Sequence, residues 1–423
     1  MKKIINSKIF VFLIASIIPL LISGPFFPDL LVSLSSLFFL FFLFFEKNNF
    51  LNKKIFWIFC LFCTSCIVSS LLSSDIIYST KKSFFYFRIG IFIMLIWYML
   101  TQSSLLVKYC YNILFVTFFC LIIDGYFQYF YSYNLINIPL GMSGTRLSSF
   151  FGSELILGSY LVRFLPLFFG LYFLKKNKNL FEIYFFYFFS FLIFILIFLS
   201  GERSAFFLSI LFYLYFLILN LFLKKIHITK FFLIILVFFS TILFIAYSNK
   251  TIKQRMFDDV IFTFENKNNL DQNTKNKFYF FSVNHDSHFR TAYQIFIDKP
   301  VFGHGVRMFR KTCQLKKFQV GQNPCNTHPH NIYLELLAET GFIGFLFVFS
   351  VFLYVLKQIY KIFFCKNKIC EIYQLAFLGS ILINFWPITT TGSFFNNWMM
   401  IVYAYPIGFY LFYLKKKDNS LLK

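Results

Sequence analysis

Apolar runs of about twenty residues, divided by short polar or basic stretches, recur along the whole 423-residue chain. They fall at 8–26, 29–45, 54–72, 84–100, 109–128, 154–173, 183–199, 205–223, 230–247, 342–360, 372–388 and 397–414. Each is close to the length a helix needs to cross roughly 30 Å of hydrocarbon. Barrel strands alternate over only about ten residues, whereas these runs are longer and uninterrupted. The pattern predicts an all-α polytopic membrane protein with about twelve transmembrane helices, forming a single integral membrane domain over residues 1–423. Two polar interruptions are long. One covers 129–153, and the larger covers 248–341, between the ninth and tenth spans.

Composition agrees with this pattern: the chain is 59% hydrophobic, with a mean hydropathy of +0.70. The net charge of +23 could suggest nucleic acid, but most lysines sit in short clusters between apolar runs. That placement is a topology signal instead. Lys2 with Lys3, Lys53 with Lys54, Lys175 with Lys176, Lys224 with Lys225, Lys366 with Lys368, and Lys415 to Lys417 share one side of the alternating spans. By the positive-inside rule that side is the cytoplasm, with both termini on it and both long loops outside. Lys81 and Lys82 fall on the outer side and are the main exception. The first 24 residues resemble a signal peptide but lack a convincing cleavage site, so they read as a retained first helix. The Asn- and Lys-rich stretch 262–279 reads as a solvated excursion.

Long loops in compact proteins tend to carry function. The larger one holds His285, His288, His304, His328 and His330, five of the six histidines. His330 directly precedes a span, and Asn331, Glu335 and Glu339 follow it at a spacing of four, on one helical face. A neutral imidazole there could act as a general base. Arg203, in a short outer turn, Arg290, opening an amphipathic stretch, and Arg146, in the smaller loop, could together clamp a phosphate or pyrophosphate. The ordinary alternative is pairing with Glu202 or Asp286, or contact with lipid headgroups. Gly303 and Gly305 lack the third glycine and preceding strand of a dinucleotide fold and read as a tight turn. Cys60, Cys63 and Cys66 lie within a span and read as packing residues, while Cys313 and Cys325 could pair in an oxidising compartment.

Four stretches carry a family resemblance: RLSSFFG, SGERSAF, DKPVFGHGVRMF and HPHNIYLELLAETGFIG. In these the chain resembles the O-antigen ligase and O-antigen polymerase superfamily, which also includes protein O-oligosaccharyltransferases. The resemblance implies a bacterial inner-membrane enzyme whose site faces the periplasm. Such an enzyme takes a glycan from an undecaprenyl-pyrophosphate carrier and passes it to an acceptor hydroxyl, without a cofactor, metal or nucleic acid. It implies pyrophosphate-holding roles for Arg203 and Arg290, a less secure one for Arg146, and a place beside the acceptor for His330, with His328 ranked below it. Lipid A-core is the expected acceptor, a second carrier-linked glycan or a protein being alternatives.

Two other classes compete. A transporter would suit the span count, but transporters place charges near mid-membrane, and Arg88 is the one candidate identified there. A metal-dependent hydrolase could use the histidines as ligands. The i,i+2 spacing of His328 and His330 and the absence of HExxH argue against it.

Overall fold

The computed structural model describes residues 1–46, 49–175, 177–258, 282–364 and 371–420. The helices are α1 Lys8–Leu20, α2 Phe26–Phe45, α3 Lys54–Leu71, α4 Ile76–Phe84, α5 Phe87–Gln102, α6 Leu105–Tyr131 and α7 Leu157–Leu174. They continue with α8 Leu180–Leu199, α9 Arg203–Phe222, α10 Ile228–Ser248, α11 Val283–Asp298, α12 Ile332–Phe364, α13 Ile372–Asn384 and α14 Asn397–Ser420. The only extended pairings among the described residues are two isolated bridges, Tyr133 with Pro139 and Gly141 with Arg146. The chain is therefore all-helical, as its apolar periodicity requires.

Nine described helices are long and apolar enough to cross a membrane, α4 and α5 together forming one of them. The sequence pattern predicts about twelve. Two expected spans contain shorter helices of 13 residues each, α1 and α13. A 3₁₀ turn over Leu21–Ser23 follows α1 and ends at Gly24, whose φ of 108° suits glycine. After α13, Pro387 and the threonines at 389–391 leave the helical path. Both unwound segments line a cavity, so the apolar runs were read too far at the ends where the chain serves a polar space. The third, α14, extends beyond the expected 414 to Ser420. The stretch 262–279 and the pair Lys366 and Lys368 lie outside the described residues.

At the centre stands α7, buried along most of its length and packed against α13. Around it α1 packs on α6 and α5 on α14. By contrast, α10 lies outward along its whole apolar window, as expected of a helix facing lipid. Cys63 and Cys66 are buried in the core, in keeping with a packing role. Arg88 pairs with Asp29 of α2 and donates to the Phe85 carbonyl, which gives its charge a structural use.

Local polar bonds shape the two long loops. At the end of α6, buried Asp124 accepts from the Leu135 amide at 2.9 Å and from the Ser149 hydroxyl. Gln128 accepts from the amides of Ser148 and Ser149 at 3.0 and 2.8 Å. These bonds fix the loop that carries Arg146. In the larger loop α11 packs on α12. A non-helical Gly341, with φ 65°, breaks α12 one residue before the expected start of its span at 342. Residues 300 and 301 insert there, the Pro300 carbonyl accepting from Phe342 N at 2.8 Å. The stub from Ile332 to Thr340 is thus free to work at the membrane boundary.

Candidate functional site

A cavity of about 1050 Å³ opens between the unwound ends of α1 and α13, the starts of α7 and α9, and the histidine-bearing loop. Arg146, Arg163, Arg203 and Arg255 line it, against two carboxylates, Glu154 and Glu202. Among the described lining residues, four guanidinium groups stand against two carboxylates, an excess of positive charge. Apolar walls from Phe151, Phe207 and Met399 complete it.

Backbone carbonyls orient Arg203, Arg255 and Arg146. Arg203 Nε donates to the Arg255 carbonyl at 2.8 Å, and Arg255 Nε donates to the Gly201 carbonyl at 2.9 Å. These reciprocal bonds clasp the α8–α9 turn to the segment after α10. Gly201 is needed here: its φ is 69°, and a Cβ would lie 2.8 Å from Arg255 Nε. Arg146 donates to the Leu155 carbonyl at 2.6 Å and stands 3.7 Å from Glu202. Glu202 is otherwise occupied at the start of α7, accepting from Gly158 N at 2.7 Å and Ser159 Oγ at 2.6 Å. A carboxylate suits a helix N-terminus. Burial nevertheless raises the Glu202 pKa above its usual value and lowers that of Arg146, so desolvation outweighs their mutual attraction. An anion beside Arg146 would therefore meet guanidinium charge that Glu202 offsets only in part.

Four histidines gather beside the cavity, three of them, His285, His328 and His330, in its lining. The His330 ring centroid lies 4.2 Å from that of His328, 5.3 Å from His285 and 5.4 Å from His288. His330 adopts φ 61°, and its carbonyl accepts from Thr391 N at 2.9 Å, which ties it to the α13–α14 loop. Its Nε2 is 3.0 Å from Asn326 Nδ2. Because Asn326 Oδ1 already accepts from Thr327 N, the amide nitrogen faces the ring and Nε2 is the accepting atom. His328 bridges Thr327 Oγ1 at Nδ1 and the Thr391 carbonyl at Nε2. Burial and its neighbouring histidines push the His330 pKa down to about 3. Burial takes His328 and His285 down to about 4. All are neutral at pH 7, and the accepting Nε2 of His330 is occupied by Asn326.

The polar face of α12 fastens loops. Asn331 donates to the Pro387 carbonyl at 2.8 Å and accepts from the amides of Tyr333 and Leu334 at 3.0 and 3.1 Å, capping the helix. Glu335 accepts from Ser393 Oγ and from Phe394 N at 2.7 Å. Glu339 accepts from the amides of Arg307 and Phe309, the latter at 3.0 Å. Gly303 and Gly305 bring their loop against this helix, Gly305 N donating to the Glu339 carbonyl at 2.8 Å. A Cβ on Gly303 would lie 2.5 Å from the Glu339 backbone, so close approach is what these glycines serve. The sulfurs of Cys313 and Cys325 are bonded, with Cα atoms 5.3 Å apart, closing the loop just before Asn326.

Of the expected site residues, the structure brings Arg146, Arg203, His328 and His330 to one cavity. Arg290 lies outside its lining and pairs with Asp286, four residues earlier on α11, at 2.7 Å. His304 faces Asp298 at 3.3 Å. Two cavity arginines were missed. Arg255 follows a span in an unremarkable basic stretch. Arg163 stands inside an apolar run, donating to Asn384 Oδ1 at 2.7 Å, and the cost of a charge at that depth was the signal that could have found it.

The histidines make stability depend on pH. In the unfolded chain they take up protons near pH 6.5, whereas in the folded protein His285 and His328 do so near 4 and His330 near 3. Between those values the unfolded state binds more protons, so the histidines' contribution to stability falls as pH is lowered through this window. Buried Glu202, with its raised pKa, acts in the opposite sense, so the histidine contribution is read as a difference: the Tm of the wild type minus that of His330→Gln, both purified in detergent, should be level above about pH 7 and fall from about pH 6 to 4. A difference independent of pH across the window would contradict the cluster's burial.

No curated protein matches the chain. Residues 188–349, which include Arg203, Arg255 and all four clustered histidines, match the family model described as O-Antigen ligase, and this match supports the O-antigen ligase/polymerase superfamily for the chain.

Proposed function

We propose that the protein is an O-antigen ligase-like glycosyltransferase that moves a glycan from undecaprenyl pyrophosphate to a lipid A-core hydroxyl. It works at the periplasmic face of the bacterial inner membrane, with both termini in the cytoplasm. The observation that carries this reading is the cavity itself: an arginine-rich wall faces a neutral histidine, between helices fit to lie in lipid. A polyprenyl donor needs such a place, since its chain belongs in hydrocarbon and its pyrophosphate in a polar pocket.

Arg203 and Arg146 hold the pyrophosphate, and Arg255 takes the part that the sequence suggested for Arg290. Guanidinium forks match phosphate oxygens and stabilise the charge that grows as the glycosidic C1–O bond breaks. The acceptor hydroxyl attacks C1 from the opposite side, inverting it, and the bonding electrons leave with the pyrophosphate. His330 Nε2 receives the hydroxyl proton once Asn326 yields its place. With a pKa near 3, His330 is a weak base in the empty cavity. A bound pyrophosphate would raise that value, because a nearby anion favours the imidazolium. The donor therefore prepares the base that its own transfer requires. Pyrophosphate is already a good leaving group, so no metal is needed in this scheme.

Purified variants assayed for donor consumption test the assignments. His330→Ala should lower turnover by roughly a hundredfold or more, the usual contribution of a general base. Arg203→Ala should raise the donor KM, with lysine restoring only part of it because its charge lacks the bidentate fork. EDTA should leave the wild-type rate unchanged. A near-normal rate in His330→Ala, or loss in EDTA restored only by zinc or manganese, would overturn the scheme.

Deletion of the gene followed by separation of the cell's glycolipids tests the acceptor. The expected outcome is polymerised glycan retained on undecaprenyl pyrophosphate with bare lipid A-core. Core capped by a single repeat unit would instead assign the protein as a polymerase using the same donor site.

A further inference from the structure

Lys81 and Lys82, which break the charge rule of the loops, lie on α4, and the structure gives them company. The loop that follows Gly305 docks along α4 at two described points. Ser79 Oγ donates to the Val306 carbonyl at 3.0 Å, and Lys311 pairs with Asp75 and lies 4.3 Å over the Tyr78 ring. Lys82, one turn beyond Ser79, accordingly has Arg307 and Arg310 among the charges that act on it most strongly. The Nε atoms of Arg307 and Arg310 are buried without a hydrogen-bond partner. The nearby carboxylates make their hydrogen bonds elsewhere, Asp75 with Lys311, Glu335 with the α13–α14 loop and Glu339 with backbone amides, although Glu335 still feels the charges of Arg307 and Arg310. The charges of Arg310 and Arg307 also reach His328, so this cluster adjoins the histidine-bearing wall while staying outside the cavity lining.

Three residues beyond Lys82, on the same side of the helix, Phe85 is 54% exposed, while Ile77 and Phe84 are exposed on the side of Lys81. A ligand seated here would thus present acyl chains next to anionic groups. We propose that Lys82, Arg307 and Arg310 form a second anion site, separate from the arginines that hold the donor, which takes the phosphate groups of an acylated glycolipid acceptor. This deepens the proposed transfer reaction and rests on it for the identity of the acceptor. The site would bring the acceptor in beside His328 and His330, across the cavity from the donor. It also gives the outer-face lysines a purpose.

The test uses the full-length protein in nanodiscs of zwitterionic lipid, with saturating donor and lipid A-core acceptor offered either phosphorylated or enzymatically dephosphorylated. Arg310→Gln and Lys82→Gln, both away from the helix core, should raise the acceptor KM roughly tenfold, the lower end of what a charge-assisted hydrogen bond contributes. Arg310→Lys should recover part of the loss. Wild type should show the same elevated KM for the dephosphorylated acceptor, with the variants adding little. An unchanged acceptor KM, a shift in donor KM instead, or an effect that follows added anionic phospholipid and not acceptor phosphate would overturn the site. Binding of the phosphorylated glycolipid, measured without donor, separates the two readings. Binding that depends on Lys82 and Arg310 in a protein that transfers nothing would support the site and defeat the transferase, whereas transfer indifferent to acceptor phosphate would defeat the site alone.

Discussion

Three side chains on one face of the α12 stub, Asn331, Glu335 and Glu339, hold together the parts of the molecule that would do chemistry. Two loops far apart in sequence, 303–309 and 387–394, end on this face through backbone amides, carbonyls and Ser393. A buried carboxylate that accepts two hydrogen bonds is costly to leave without them, so each loop is pinned to a definite position. His330 sits at the head of the same stub and hands its carbonyl to Thr391 of the second loop. The break at Gly341 keeps the stub distinct from the membrane span that follows. Without these bonds neither the histidine wall nor the Thr389–Thr391 lining of the cavity would have a fixed shape.

The opposite wall obeys a different constraint. Arginines at the edge of hydrocarbon need partners, and among the described residues these include the carbonyl oxygens of Gly201, Leu155 and Arg255 itself. Carbonyls orient a guanidinium without cancelling its charge. The cavity thus combines ordered cations with uncharged imidazoles, an arrangement that favours an anionic guest and would respond to it. Desolvation keeps the histidines neutral, and an anion beside them would oppose that effect.

Much of the fold was legible because spans are written in runs of apolar residues, which leave little room for alternatives. The ends of those runs were not. Residues 21–25 and 385–388 are apolar enough to extend a helix, but Gly24 and Pro387 and the need to line a polar cavity unwind them. The spacing of Asn331, Glu335 and Glu339 revealed their shared face correctly, though spacing alone could not say that the face grips loops and not the imidazole. Asn326 does the latter, from four residues before His330, where no helical period points. Arg290, expected at the pyrophosphate on the strength of the resemblance, lies outside the cavity lining and pairs with Asp286 one turn earlier on the same helix. His285 and His288, by contrast, join His330 only through the packing of α11 on α12, a tertiary contact with no sequence signature.

The central claim is that His330 is neutral and weakly basic in the empty cavity and becomes a stronger base when a pyrophosphate lies opposite. Histidine-selective nitrogen-15 labelling, with His330→Gln to assign the resonance, measures this directly. The account predicts that His330 stays uncharged well below pH 6.5 in the free protein and titrates at a distinctly higher pH when undecaprenyl pyrophosphate is bound. Titration near 6.5 without donor, or a value that donor binding leaves unmoved, would contradict it.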